Sequence, residues 1–157
     1  MNISIGAPFR RARTSNRRVH GWAWVGLTLA LALHVLDEAS HDFLALYNPI
    51  ALRIRQAVPL LPVPVFTFRV WLAGLIGAIV LLLGLSPFVF KGAPWTRGAS
   101  YLFGAIMLLN GCSHILGSIY SSRLLAGTYS APLLVLTSLA LIIVVTRARQ
   151  DAQNTGA

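Results

Sequence analysis

The chain has 157 residues, 56% of them hydrophobic and only 11% charged, with a mean hydropathy of +0.70. An ordinary soluble domain carries about 25% charged residues, so a water-soluble enzyme and a disordered basic tail are both excluded. Lys and Arg number 13 against 4 Asp and Glu, for a formal net charge of +9. Those acids are Asp37, Glu38, Asp42 and Asp151, so three of the four crowd into six residues of an otherwise apolar stretch.

The basic residues form no reading face for nucleic acid. Arg10, Arg11, Arg13, Arg17 and Arg18 crowd the start of the chain, and most others flank apolar runs. That is how a multi-pass membrane protein sets its orientation, and the surplus suits anionic headgroups. The expected partner is therefore the lipid bilayer and not nucleic acid. With Cys112 as the one cysteine, neither an intrachain disulfide nor a thiolate metal site is expected.

In chain order, a basic tail over residues 1–20 precedes four apolar segments at 22–42, 70–90, 99–120 and 130–146. Each approaches the roughly 20 helical residues that cross a bilayer. Residues 21–146 thus read as a membrane domain, and 147–157 as a polar C-terminal tail. The first segment resembles a signal peptide in its basic flank, but lacks a small-x-small cleavage site and is expected to be retained. Counting Arg and Lys between segments places nine on one side and four, Arg53, Arg55, Arg69 and Arg123, on the other. The positive-inside rule then puts both termini in the cytoplasm. The expected fold is all-α, an integral membrane four-helix bundle of the inner or plasma membrane, with the first and third helices parallel.

Residues 43–68 form the longest connection and contain Pro49, Pro59, Pro62 and Pro64, which argues against a continuous helix. Between prolines, residues 50–58 alternate apolar side chains with Arg53, Arg55 and Gln56. A short amphipathic piece along the outer interface is expected there.

The acids belong to the run His34-Val-Leu-Asp37-Glu38-Ala-Ser-His41-Asp42. At about 100° per residue, His34, Glu38 and His41 share a stripe of roughly 60°, with Asp37 and Asp42 on its flanks. The third segment adds Asn110 and His114, spaced i, i+4. At 1.5 Å per residue, His34 and Glu38 lie about 20 and 26 Å beyond Gly21, and His114 about 21 Å beyond Ser100. In parallel helices those three side chains meet at similar depth.

An intramembrane Asp costs about 2.5–3.5 kcal/mol at a helix centre, so the cluster calls for an explanation. His34, Glu38, His41 and His114 are candidate ligands for Zn²⁺ or Fe²⁺. Asp37 and Glu38 are candidate general bases for hydrolysis, and Asp37 or Asp42 could instead be a further ligand or accept an imidazole N–H. Asn110, Tyr120 and Tyr129 are candidate substrate contacts. Three functions stay open: a metal-dependent hydrolase or lipid-modifying enzyme taking a membrane-soluble substrate, a proton-coupled transporter or ion-binding subunit, and a non-catalytic scaffold in which the same groups pair helices. Oligomeric state stays open too. The peptidase spacing His-Glu-x-x-His is absent, as are the histidine boxes of membrane di-iron desaturases, and His20 lies outside the cluster.

Elsewhere, Gly74, Gly77 and Gly84 in the second segment and Gly104, Gly111 and Gly117 in the third invite close helix packing. Trp22, Trp24, Trp71 and Trp95 fall near segment ends, where aromatic belts form. Ser130-Ala131-Pro132 reads as a helix start with Ser130 as its cap.

His34-Val-Leu-Asp37-Glu38 is similar to the name-giving motif of the HXXEE domain family, small multi-span membrane proteins mostly of bacteria. Asn110-Gly-Cys-Ser-His114-Ile resembles that family's second polar motif, and Tyr129-Ser-Ala-Pro132 its tyrosine–proline element before the last helix. The likeness extends over residues 21–146. Asp37 stands where the motif has Glu, and Leu133 where a glycine is expected. The resemblance implies a four-helix membrane domain and flags His34, Asp37, Glu38, Asn110 and His114, without naming a substrate.

Overall fold

The computed structural model describes residues 7–154. Five helices follow in order: α1 (Ala7–Ser40), α2 (Phe43–Ala57), α3 (Phe68–Lys91), α4 (Trp95–Ser121) and α5 (Ala131–Asn154), with no strand among the described residues. Four are long and apolar enough to cross a membrane, over Asn16–Ser40, Phe68–Lys91, Trp95–Ser121 and Ala131–Gln150. The fifth, α2, occupies part of the connection in which no continuous helix is expected, and it starts seven residues before the short amphipathic piece expected at 50–58. Pro49 lies inside it: one missing N–H removes a single intrahelical bond, and the helix continues to Ala57, just short of Pro59. Helix α1 also starts earlier than expected, inside the basic segment. Residues 1–6 and 155–157 of the two expected tails lie outside the described residues.

Helix α1 is central. Its apolar window is 50% buried, against 6% for α3, because α1 packs on both α3 and α5 while α4 packs chiefly on α5. The core gathers Trp24, Leu27, Leu31 and Val35 of α1 against Val89, Phe103, Leu134 and Leu141. On the outside, large apolar side chains are exposed on every long helix, among them Leu33, Val80, Leu109 and Leu136. Surfaces this apolar are expected against lipid.

Glycine fulfils its expected packing role in only one of the two helices. A Cβ on Gly104 would lie 2.8 Å from Ile142, and one on Gly111 would lie 2.8 Å from Val135 and 3.1 Å from the Ala131 carbonyl. These two glycines, seven residues apart on one face of α4, let the α5 backbone approach. Gly74, Gly77 and Gly84 of α3 have nothing within 4 Å of such a Cβ. The tryptophans divide as well. Trp22 and Trp95 face outward, whereas Trp24 and Trp71 are buried, with Trp24 Nε1 donating to the Leu82 carbonyl at 2.8 Å.

Candidate metal centre

One face of α1 carries His34 and, a turn later, Glu38. His114 of α4 joins them, and all three side chains are buried. His34 Nε2 lies 3.6 Å from Glu38 Oε1, and His114 Nε2 lies 3.1 Å from the same oxygen. Ligand atoms from the three residues all fall within 4.8 Å of one another. The two imidazoles meet edge to face, with centroids 4.7 Å apart. The meeting of these three side chains expected of the two helices is therefore observed, although α1 and α4 touch little elsewhere.

The connection between α4 and α5 completes the site. His114 Nδ1 lies 2.6 Å from the Ala126 carbonyl. A carbonyl only accepts, so Nδ1 carries the proton and Nε2 of the neutral ring presents its lone pair. His34 is set by a longer chain of bonds. The Ser130 hydroxyl donates to Asp37 Oδ2 at 2.7 Å, with the Gly127 carbonyl at 3.2 Å as its other acceptor. Its hydrogen being committed to an acceptor either way, the hydroxyl oxygen must accept from His34 Nδ1, 2.8 Å away. His34 Nε2 then also presents a lone pair, and it has no hydrogen-bond partner.

Two imidazole lone pairs and a carboxylate oxygen thus face one another in a buried space. With both rings neutral these three acceptors repel, so the site needs a positive charge among them: a bound cation, or a proton on His114 Nε2 shared with Glu38 Oε1 at 3.1 Å. Tetrahedral ligands at 2.0–2.1 Å from zinc lie about 3.3 Å apart, and the observed 3.6 and 3.1 Å bracket that value. Two histidines and one carboxylate with an open position are a donor set of catalytic zinc and of non-haem iron(II). Each imidazole also holds its far N–H on an oxygen, as metal-binding histidines do.

Gly127 makes the crowding possible. Its φ is +83°, and a Cβ there would sit 2.7 Å from His114 and 2.9 Å from His34. The loop is pinned beside it, where Ser118 Oγ pairs with Thr128 Oγ1 and accepts from the Leu125 N–H at 3.0 Å.

The remaining expected site residues are placed differently. Asp37 is turned from the triad toward Ser130, whose backbone N–H it also accepts at 2.8 Å. His41 stands at the end of α1, its side chain 48% exposed and 2.9 Å from Asp37 Oδ1. Its Nδ1–H is directed to the Asp37 carbonyl oxygen, also at 2.9 Å, which leaves Oδ1 a charge neighbour without a hydrogen bond. Asn110 is half-buried one turn before His114. Tyr120 is 94% exposed, and Tyr129 packs on His41 with centroids 5.3 Å apart. Neither tyrosine closes over the three buried residues. Asp42 is exposed in a left-handed turn with φ of 53°. His20 is buried far from the centre against Ser100, its Nε2 2.8 Å from the hydroxyl.

Sequence reasoning missed Ser130, Gly127 and the Ala126 carbonyl. Ser130 has the one available signal, since it lies inside the Tyr129-Ser-Ala-Pro132 element. No protein-family model, curated protein or solved structure matches the chain.

Proposed function

We propose that this chain is a multi-pass membrane protein that holds a divalent transition-metal ion, zinc or iron(II), on His34, Glu38 and His114. In this reading it is a hydrolase or related lipid-modifying enzyme acting on a membrane-soluble substrate. The observation that carries the reading is His34 Nε2, buried without a hydrogen-bond partner and 3.6 Å from Glu38 Oε1. Leaving a buried polar atom unsatisfied costs about 1–3 kcal/mol. A scaffold that merely paired helices would gain nothing by keeping it.

The bound ion would supply Lewis acidity and lower the pKa of water for hydrolysis. The chain's own residues do the rest. Glu38 contributes the anionic ligand, the two histidines offer fixed Nε2 lone pairs, and Asp37 acts through Ser130 as a positioning group. Both termini face the cytoplasm in this proposal, and the likeness of the His34–Glu38 and Asn110–His114 runs to the HXXEE motifs supports grouping the chain with those membrane proteins. A second reading draws on the 3.1 Å between His114 Nε2 and Glu38 Oε1, a length that also suits a shared proton and hence proton-coupled transport.

Metal analysis of detergent-purified protein, prepared without a metal-chelate column, tests the proposal. About one metal per chain is expected, lost in both His34→Ala and His114→Ala. Substoichiometric metal in the wild type, or unchanged metal in both variants, would overturn it. Proton flux in metal-free liposomes, abolished by Glu38→Gln, would establish the transport reading instead.

A further inference from the structure

A crevice of about 330 Å³ lies between α2 and α3, lined by Phe43, Tyr47, Phe66, Val70, Trp71 and neighbouring residues of α3. We infer that it seats one acyl chain of a membrane phospholipid and presents that lipid to the His34–Glu38–His114 centre. The role as substrate subsite rests on the metal-site reading above; the binding of the chain does not.

Four observations carry the inference. The lining is largely apolar, and Tyr47 turns its hydroxyl to the Pro64 carbonyl at 3.0 Å. The crevice is also pre-formed. Asn48 clamps the backbone of Phe66 on both sides, donating to its carbonyl at 2.9 Å and accepting from its N–H at 3.1 Å. Binding pockets for small molecules span about 300–1,000 Å³, so this volume suits a single hydrocarbon chain and not a whole lipid.

Next, the crevice shares a wall with the centre. The Phe43 ring lies 5.8 Å from Trp71 on the crevice side and 5.7 Å from His114 on the other. Last, the two elements that line the crevice carry exposed cations that suit a phosphate. Arg69 directly precedes Val70, and Arg53 and Arg55 lie on α2, all three exposed. Among the described residues no salt bridge to any of the three is present. A headgroup held at Arg69, the residue before Val70 of the lining, leaves its chain free to run along α3 into the crevice.

The test uses full-length protein in phosphatidylcholine nanodiscs containing a phosphatidylcholine with a diazirine in one acyl chain. After photolysis, adducts are mapped by mass spectrometry and metal content is measured on the same samples. Adducts are expected several-fold enriched on Phe43, Phe66 and Trp71 over the exposed α4 residues Ile106 and Leu109. Gly74→Phe should abolish the enrichment while leaving metal content unchanged, because Gly74 lines the crevice and has open space at its Cβ position. Val70→Trp is the second filling variant, should the first fail to fold. Even labelling of all exposed apolar faces, or enrichment that survives both fillings, would overturn the inference. So would a wild-type crevice that takes up no label while the exposed α4 face is labelled. Enriched adducts on protein that binds no metal would support the chain site and sink the metal reading alone.

Discussion

Asp37 and Ser130, 93 residues apart in sequence, are joined by two hydrogen bonds to one carboxylate oxygen, from the hydroxyl at 2.7 Å and from the backbone N–H at 2.8 Å. The pair ties the end of α1 to the start of α5. It also determines which nitrogen of His34 carries a proton, because the committed hydroxyl has only lone pairs left to offer. A carboxylate outside the triad thereby orients a ligand inside it.

Ser130→Ala removes the acceptor for His34 Nδ1–H and frees the ring to turn or change tautomer. Substitution of such supporting partners weakens metal binding by about 10–100-fold. Titration against a chromophoric chelator should show a loss of that order, with Ser130→Thr retaining most of the affinity. An unchanged affinity in the alanine variant would remove the relay from the account.

Gly127→Ala should be among the most damaging single-methyl changes. Its left-handed backbone costs an L-residue about 1–2 kcal/mol, and the methyl must also displace two imidazoles. A lowered Tm in detergent together with weakened metal binding is expected. A variant with wild-type stability and affinity would contradict the crowding described at the centre.

Metal affinity should rise with pH. Histidine ligates only as the neutral ring and Glu38 only as the carboxylate, so protons compete with the ion for the same atoms. Isothermal titration at pH 5.5 and 7.5 should show weaker binding at the lower value and proton release on binding. A pH-independent affinity would mean that the ion sits on other groups.

The glycines of α3 and α4 should respond oppositely. Gly111→Ala forces a methyl to 2.8 Å from Val135 and 3.1 Å from a carbonyl, and should lower Tm by loosening α4 from α5. Gly77→Ala meets nothing within 4 Å and replaces a residue that costs a helix interior about 0.5–1 kcal/mol relative to Ala. It should leave Tm unchanged or raise it. Equal responses from the two sites would refute the assignment of α4, and not α3, as the closely packed helix.

Helix number and type in the apolar segments were legible because hydropathy and length act locally. So was the meeting of His34, Glu38 and His114, since helical rise converts sequence position into depth. Helix α2 was obscured by Pro49, whose effect on a helix depends on whether one lost bond is offset elsewhere. His41 shares the stripe of His34 and Glu38 by angle, yet the helix ends beside it and leaves it in the open.

The sequence by itself determined four apolar helices, an all-α fold and the candidate set from which His34, Glu38 and His114 gather, because periodicity and hydrophobicity are properties of neighbouring residues. Tertiary structure alone decided that the α4–α5 connection closes the site. The Ala126 carbonyl, the bare backbone of Gly127 and the hydroxyl of Ser130 act on His34 and His114 by proximity. Nothing local to residues 126–130 records what α1, some 90 residues earlier, will place against them.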